Sequence, residues 1–212
     1  MKILISAAAL ICALIAPAAH AASCEDALFN PYYGVFQDEG GFQNRRNDAG
    51  NWSSGKIGKG HMCGGTKYGL ACAYHSNLDI AHLTKRQAAD EYGKNECRAL
   101  RISDLKGARD PAMLLGLGIN QGAGTAVKNL KEVRNAFRRI KHLEPLPVNT
   151  TMDDGIVEWF NEFTRDDEQR LGVLFAMSLL AIDRALDIVD SNPRQAENLF
   201  GWVQRWDPLN YK

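Results

Sequence analysis

The chain lacks an excess of either charge: 25 Lys and Arg residues face 25 Asp and Glu over 212 residues, and no basic block is interleaved with aromatics. That removes the electrostatic footprint nucleic-acid binding needs, so nucleic acid is not an expected partner. Alternating β-branched runs are nearly absent, which argues against a sandwich or barrel, and no repeat of solenoid type occurs. The 19 Gly and 7 Pro are dispersed and 45% of residues are apolar, enough to fill a core, which excludes collagen-like, low-complexity and disordered classes. Beyond the first residues no apolar run approaches the roughly 20 residues a bilayer requires. The longest, Leu171 to Ile182, is twelve residues and reads as a buried core helix, so stable membrane insertion is not expected.

The N-terminus is the exception. Lys2 supplies a positive start, Ile3 to Pro17 carries no charge, and Ala19-His20-Ala21 forms an A-x-A site. This is the pattern of a secretory signal peptide over residues 1–21, cleaved near Ala21, which places the mature chain in the periplasm or outside the cell. An uncleaved anchor would be short, and Ala21-Ala22-Ser23 before Cys24 makes a poor lipidation box. The mature chain then keeps 24 basic against 25 acidic residues.

Four cysteines remain: Cys24, Cys63, Cys72 and Cys97. An even number in an exported chain reads as two disulfides, with all three connectivities open to the sequence. Cys63 with Cys72 is favoured as a staple across a Gly-rich segment, and Cys24 with Cys97 as a tie from the mature N-terminus to a helix. A zinc site from His61-x-Cys63 and Cys72-x-x-His75 is the rival, disfavoured because export oxidises thiols and H-x-C is not a usual knuckle. A Cys72–His75 nucleophile has no third orienting group.

Helix signals dominate the mature chain. Ser23 with Asp26 forms a capping box, and Asn30-Pro31 marks a helix start from about Pro31 that stops at Gly40-Gly41, putting Glu39 at its C-terminal end. Phe42 to Tyr74 has no helical period and reads as loop or a short irregular hairpin. Further helices are expected from the Thr84/Gln87 capping box to about Leu100, after Asp110-Pro111, and from Thr125 to about Lys141. Pro145 and Pro147 mark a connection, followed by a helix through Trp159 and Phe163. Thr164 with Asp167 caps a helix from about Arg165 to Val189, and Asn192-Pro193 opens the last. The expected class is all-α, with a Gly-rich irregular or small β segment after Glu39.

Glu39 draws attention by its setting. Beside an aromatic cluster it is partly desolvated, which favours the protonated acid, and the partial negative charge of a helix end acts in the same sense. Asp48 follows nine residues on, and Thr66 lies in Gly64-Gly65-Thr66-Lys67-Tyr68-Gly69-Leu70. An acid, a second carboxylate and a hydroxyl able to position a water are the parts of an inverting glycoside hydrolase site.

Here the sequence resembles a family. Asp38-Glu39-Gly40-Gly41-Phe42, Asn47-Asp48-Ala49-Gly50 and the Gly64–Leu70 string are similar to the E-G-G-Y … D-P-G-G-x-T-x-Y-G-I signature of glycoside hydrolase family 108, the lysozyme-like muramidases and secretion-activator proteins. Ala88 to Tyr92, Gly118 to Gly122, Thr151 to Ile156 and Gly201-Trp202-Val203-Gln204-Arg205 resemble later elements of that family. The resemblance implies a lysozyme-like fold with Glu39 as catalytic acid, and Asp48 and Thr66 in the E-x8-D-x5-T arrangement of phage-type lysozymes. It implies a catalytic region over residues 22–121 and a helical, peptidoglycan-binding region over 122–212. No cofactor and no metal are required.

Ala49 stands where the family has proline, and residues from about Asn51 to Cys63 look inserted between Asp48 and Thr66. If that insertion displaces Thr66 the triad fails; a Cys63–Cys72 bridge would restore it. As a flap it would offer Trp52 to a sugar and Lys56 or Lys59 to a stem-peptide carboxylate. Tyr68 could orient Glu39 or substrate. Asn120 could bind an N-acetyl group, although capping the next helix is the plainer role. Trp159, Trp202 and Trp206 read as core, and His75, His82 and His142 as surface or satisfied core. The expected activity is cleavage of the β-1,4 bond between N-acetylmuramic acid and N-acetylglucosamine in peptidoglycan. A lytic transglycosylase using the same Glu, or a non-catalytic wall-binding component of a secretion system, are the alternatives. A secretion-system or immunity protein is a possible partner.

Overall fold

The computed structural model describes residues 21–37 and 39–211; the expected signal peptide, Ala21 apart, lies outside the described residues, as does Asp38. The chain is predominantly helical, as its sequence implies. Among the described residues the α-helices are α1 (Cys24–Phe29), α2 (Lys85–Tyr92), α3 (Arg109–Gln121), α4 (Ala123–Ile140), α5 (Asp154–Phe163), α6 (Asp167–Ser191) and α7 (Ala196–Arg205). One small antiparallel hairpin, β1 (Thr66–Lys67) and β2 (Leu70–Ala71), interrupts them.

The middle of the fold is α3. Every residue from Asp110 to Gly118 is buried, so this helix has no polar face and must be enclosed by its neighbours. It packs against α1, α4 and α6. Asp110, in its buried first turn, is paired with Arg170 of α6 at 3.0 Å. Helix α6 buries Val173, Leu174, Met177, Ser178, Ala181 and Ala185, spaced three or four residues apart along one stripe. One contiguous core runs from Ala22 to Trp206.

Local rules account for most boundaries and for the departures. Ser23 caps α1, its hydroxyl accepting from Asp26 N–H at 2.9 Å. Because α1 begins there, the expected helix from Pro31 does not form. Asn30 precedes a proline and is driven to extended backbone (ψ 130°), ending α1. Pro31–Tyr33 is a turn, and only the short 3₁₀ segment Val35–Gln37 follows. Glu39 therefore sits on a bend just after this 3₁₀ segment, its N–H donating to Val35 C=O at 3.2 Å, and not at the end of an α-helix. The Thr84/Gln87 capping box is present. Helix α4 starts at Ala123, before the expected Thr125, and α6 is capped by Asp166 rather than Thr164 because the Asp166 carboxylate accepts from Gln169 N–H. After α2 the chain passes through a π-helical turn, Gly93–Cys97.

The structure contains disulfides Cys24–Cys97 and Cys63–Cys72. Both sulfurs of the alternative zinc site and of the alternative thiol nucleophile are thereby used. A second anchor is Lys131 of α4, whose side chain is 1% exposed and bonded to Asp153, the N-cap of α5, and to Asn149 at 2.8 Å. This clamp fixes the long connection between α4 and α5.

The two disulfides close loops of very different length, with sequence separations of 73 and 9. Chain entropy then gives about 4.4 kcal/mol for Cys24–Cys97 and about 2.6 kcal/mol for Cys63–Cys72. Urea titration of the Cys24→Ser/Cys97→Ser and Cys63→Ser/Cys72→Ser pairs should show the larger loss in the first. The clamp gives an acid signature. The Lys131 hydrogen bond holds the Asp153 carboxyl below its ordinary range. Its stabilisation is present above the unfolded carboxyl value of about 4 and is lost as pH falls through the lowered native value. Thermal melts from pH 5 to pH 2 should fall more steeply for the native chain than for Lys131→Met/Asp153→Asn.

Candidate active site

The segment after the bend is tied to the hairpin by an isolated antiparallel bridge between Gln43 and Thr66. Gln43 N–H donates to Thr66 C=O at 2.9 Å, Thr66 N–H returns to Gln43 C=O at 2.8 Å, and Tyr68 N–H donates to Gly40 C=O at 3.1 Å. Lys67 faces Leu70 across a two-residue turn in which Tyr68 and Gly69 both have positive φ, 51° and 81°. That is the turn whose twist matches antiparallel strands, and it asks for glycine at the second position. Tyr68 has no such freedom and is held in place: its carbonyl accepts from the Tyr92 hydroxyl at 2.7 Å and its ring lies edge-on to Phe36 at 5.9 Å.

Glu39 packs against this turn. A Cβ on Gly69 would lie 2.4 Å from the Tyr92 hydroxyl oxygen and 3.1 Å from Glu39 Oε2, so only glycine lets the acid and the phenol approach the backbone together. The Glu39 side chain is 6% exposed, and Oε1 lies 3.8 Å from Arg205 Nη1 at the end of α7. Arg205 Nη1 also donates to Asn120 Oδ1 at 3.2 Å. Tyr92 is pushed well above the usual phenol range by burial and then by the charges of Glu39 and Glu96, so it remains a protonated donor.

Asp48 and Thr66 are linked at the base of the hairpin through Gln43 and Asn51. The Asp48 carboxylate accepts from Gly50 N–H at 2.8 Å and from the Gln43 side-chain amide. The Thr66 hydroxyl donates to Asn51 Oδ1 at 2.8 Å, and Asn51, fully buried, donates to Gln43 Oε1 at 2.9 Å. Gly50 lies between them: a Cβ there would be 3.3 Å from Asp48 Oδ1 and 3.6 Å from Thr66 Oγ1. Glu39 is thus at the turn of one hairpin, with Asp48 and Thr66 at its other end.

The segment 51–63, between Asp48 and Thr66, closes on itself. Cys63 N–H donates to Asn51 C=O at 3.0 Å, Ser53 N–H to His61 C=O at 2.9 Å, Trp52 pairs with Met62, and the Cys63–Cys72 bridge holds the base. Trp52 lies at that base with its indole N–H on Arg46 C=O, while Lys56 and Lys59 are exposed farther out. Asn120 does not cap α4. Its amide donates to Gly116 C=O at 2.9 Å and its carbonyl receives Arg205; the cap position belongs to Gly122, whose φ of 87° no other residue adopts readily.

Three residues of this cluster carried no assigned role in the sequence: Arg205, Tyr92 and Gly69. The signals were there in retrospect. Arg205 closes the G-W-x-x-R string in the last turn of a helix, where a cation is favoured. Trp206 is core, Trp159 stacks on Phe163 at 4.7 Å, and Trp202 is half-buried against Trp206.

No protein-family model matches the chain, and no curated protein matches it. The structure is similar to that of Brucella abortus SagA, with a TM-score of 0.57 at 18% sequence identity, over 83% of this chain and 87% of that one. At that identity the likeness is one of fold.

The crowding at Gly69 is testable against a control. Gly64 also has positive φ, 122°, but its missing Cβ would meet nothing within 4 Å. Gly69→Ala should lose about 1–3 kcal/mol more stability in denaturant titration than Gly64→Ala, the excess measuring displacement of Tyr92 and Glu39.

Proposed function

We propose that the chain is an exported peptidoglycan hydrolase, a muramidase in which Glu39 protonates the glycosidic oxygen as the bond to N-acetylmuramic acid breaks. The observation that carries this reading is the state of Glu39: a carboxyl group 6% exposed, placed by a glycine turn beside a phenol, with a guanidinium 3.8 Å away. The family 108 resemblance of the strings around Glu39, Asp48 and Thr66 supplies the substrate class. The two disulfides suit an oxidising compartment, and among the described residues no helix is long and apolar enough to cross a membrane.

In this reading Glu39 is the general acid, and Arg205 stabilises the carboxylate left when the proton has gone. The leaving sugar departs from an oxocarbenium-like centre, which an Asp48 carboxylate at the hairpin base stabilises or supplies with water. Asp48 keeps acceptor capacity for this role, since two oxygens offer about four lone-pair sites and two are used. The same engagement of Asp48 by Gly50 and Gln43 favours a second reading. With Asp48 committed to shaping the loop, Glu39 alone serves a lytic transglycosylase, which forms a 1,6-anhydro end without water.

Digestion of purified sacculi by residues 22–212, with mass spectrometry of the released fragments, separates these. The muramidase reading expects reducing muramic-acid ends, lost by about 10²–10⁴-fold in Glu39→Gln, with circular dichroism showing that the variant is folded. Anhydro ends would move the chain to the transglycosylases. No release by either protein, with both still pelleting with sacculi, would leave a wall-binding component.

A further inference from the structure

Helix α7 touches the segment that carries the candidate acid at two points. Near the start of the helix Glu197 accepts from the side-chain amide of Asn47, one residue before Asp48, and at its end Arg205 Nη1 lies 3.8 Å from Glu39 Oε1. Glu197, Gly201 and Arg205 are spaced four apart, so they share one side of the helix. At 1.5 Å per residue the two contacts are about 12 Å apart along its axis. Gly201, midway between them, has no side chain, and a Cβ there would meet nothing within 4 Å. The helix and the segment from Glu39 to Asn47 therefore form a ring, closed at both ends by side chains and open in front of Gly201.

The two closures are unequal. At the Arg205 end the helix is anchored: buried Trp206 follows at once, its carbonyl accepting from the Ser178 hydroxyl of α6, and Arg205 also donates to Asn120 at 3.2 Å. At the other end Asn47 and Glu197 are both exposed, and a hydrogen bond open to water contributes little. No residue of α7, or of the 3₁₀ segment Pro193–Gln195 that leads into it, is buried; the helix reaches the core through half-buried Leu199 and Trp202. Segments packed so sparsely are the ones that open locally while the rest of a fold stays intact.

We propose that α7 is a hinged bar beside Glu39, latched by Asn47 and Glu197 and pivoting at Trp206, which unlatches to admit the middle of a polymeric chain. Arg205, next to the pivot, keeps its place during the opening. The polymer is the glycan strand of the reading above, on which this proposal rests. Strands in a sacculus are cross-linked and cannot thread a closed ring from an end, whereas a short soluble fragment can. The latch thus sets which form of the substrate is cut and is separate from the chemistry at Glu39.

Asn47→Cys/Glu197→Cys, joined by a short bismaleimide, locks the bar; the four native cysteines of residues 22–212 are engaged in disulfides and do not compete. The same variant capped with N-ethylmaleimide is the unlocked control. Locking should cut fragment release from sacculi by about tenfold or more, and leave cleavage of an uncross-linked peptidoglycan tetrasaccharide within about twofold of the control. Equal slowing of both substrates, or of neither, overturns the bar. Hydrogen exchange follows the motion without catalysis. In Glu197→Leu, which removes the acceptor at an exposed position, the amides of 196–201 should exchange about three- to tenfold faster than in the native chain, with those of α6 unchanged. Unchanged exchange along α7 overturns the hinge. Faster exchange in a chain that cleaves neither substrate would keep the moving bar and sink the hydrolase reading, whereas cleavage of both that locking does not alter would do the reverse.

Discussion

A carboxylate withdrawn from water must be given a countercharge or a proton, and the architecture of this protein follows from how Glu39 meets that demand. Its acid lies in the first quarter of the chain and the guanidinium beside it, Arg205, in the last helix. Helix α7 is held against the N-terminal part by Arg205, by its contact through Asn120 to α3, and by Glu197, which accepts from Asn47. The division at Gly122 that the sequence invites runs between α3 and α4, yet the candidate site draws on both sides of it. Neither half carries the full constellation.

The second demand is backbone geometry. The hairpin bearing Thr66, Tyr68 and Gly69 has only two paired residues per strand, too little to persist alone. It is kept by what surrounds it: the Gln43–Thr66 bridge on one edge, the Tyr92 hydroxyl on the turn, and the Cys63–Cys72 bridge at the base. Each of these leaves a specific side chain in a specific place, so the same bonds that hold the hairpin also align Glu39 at one end and Asp48 with Thr66 at the other.

Where the sequence was legible, the determinants were local. Ser23 and Thr84 cap their helices through bonds to residues three positions on, and Asp110-Pro111 opens an apolar segment that is a helix. The Gly-rich hairpin and its short-range Cys63–Cys72 staple were readable for the same reason, whereas the sequence favoured Cys24–Cys97, 73 residues apart, without excluding the other connectivities. Competition between neighbouring signals was not: Ser23 and Asn30-Pro31 both mark helix starts, and once the first is used the second becomes an end. Long-range pairing was the other blind spot. Nothing near Arg205 announces Glu39, and nothing near Lys131 announces Asp153; both bonds exist only because distant helices pack. Asn120 illustrates the cost, since its local setting suggested a cap while its tertiary setting makes it the link between α3 and Arg205.

The self-closing excursion from Asn51 to Cys63 has a bearing on how such a protein changes over time. Its strands are pinched at Asn51–Cys63 and Ser53–His61, and everything between Ser54 and Gly60 lies beyond the pinch. Lengthening a loop whose ends are already fixed costs only about 0.6 kcal/mol per doubling. The tip can therefore gain, lose or exchange residues while Asp48 and Thr66 stay in register, making it an appendage open to diversification and a natural place to graft a foreign recognition sequence.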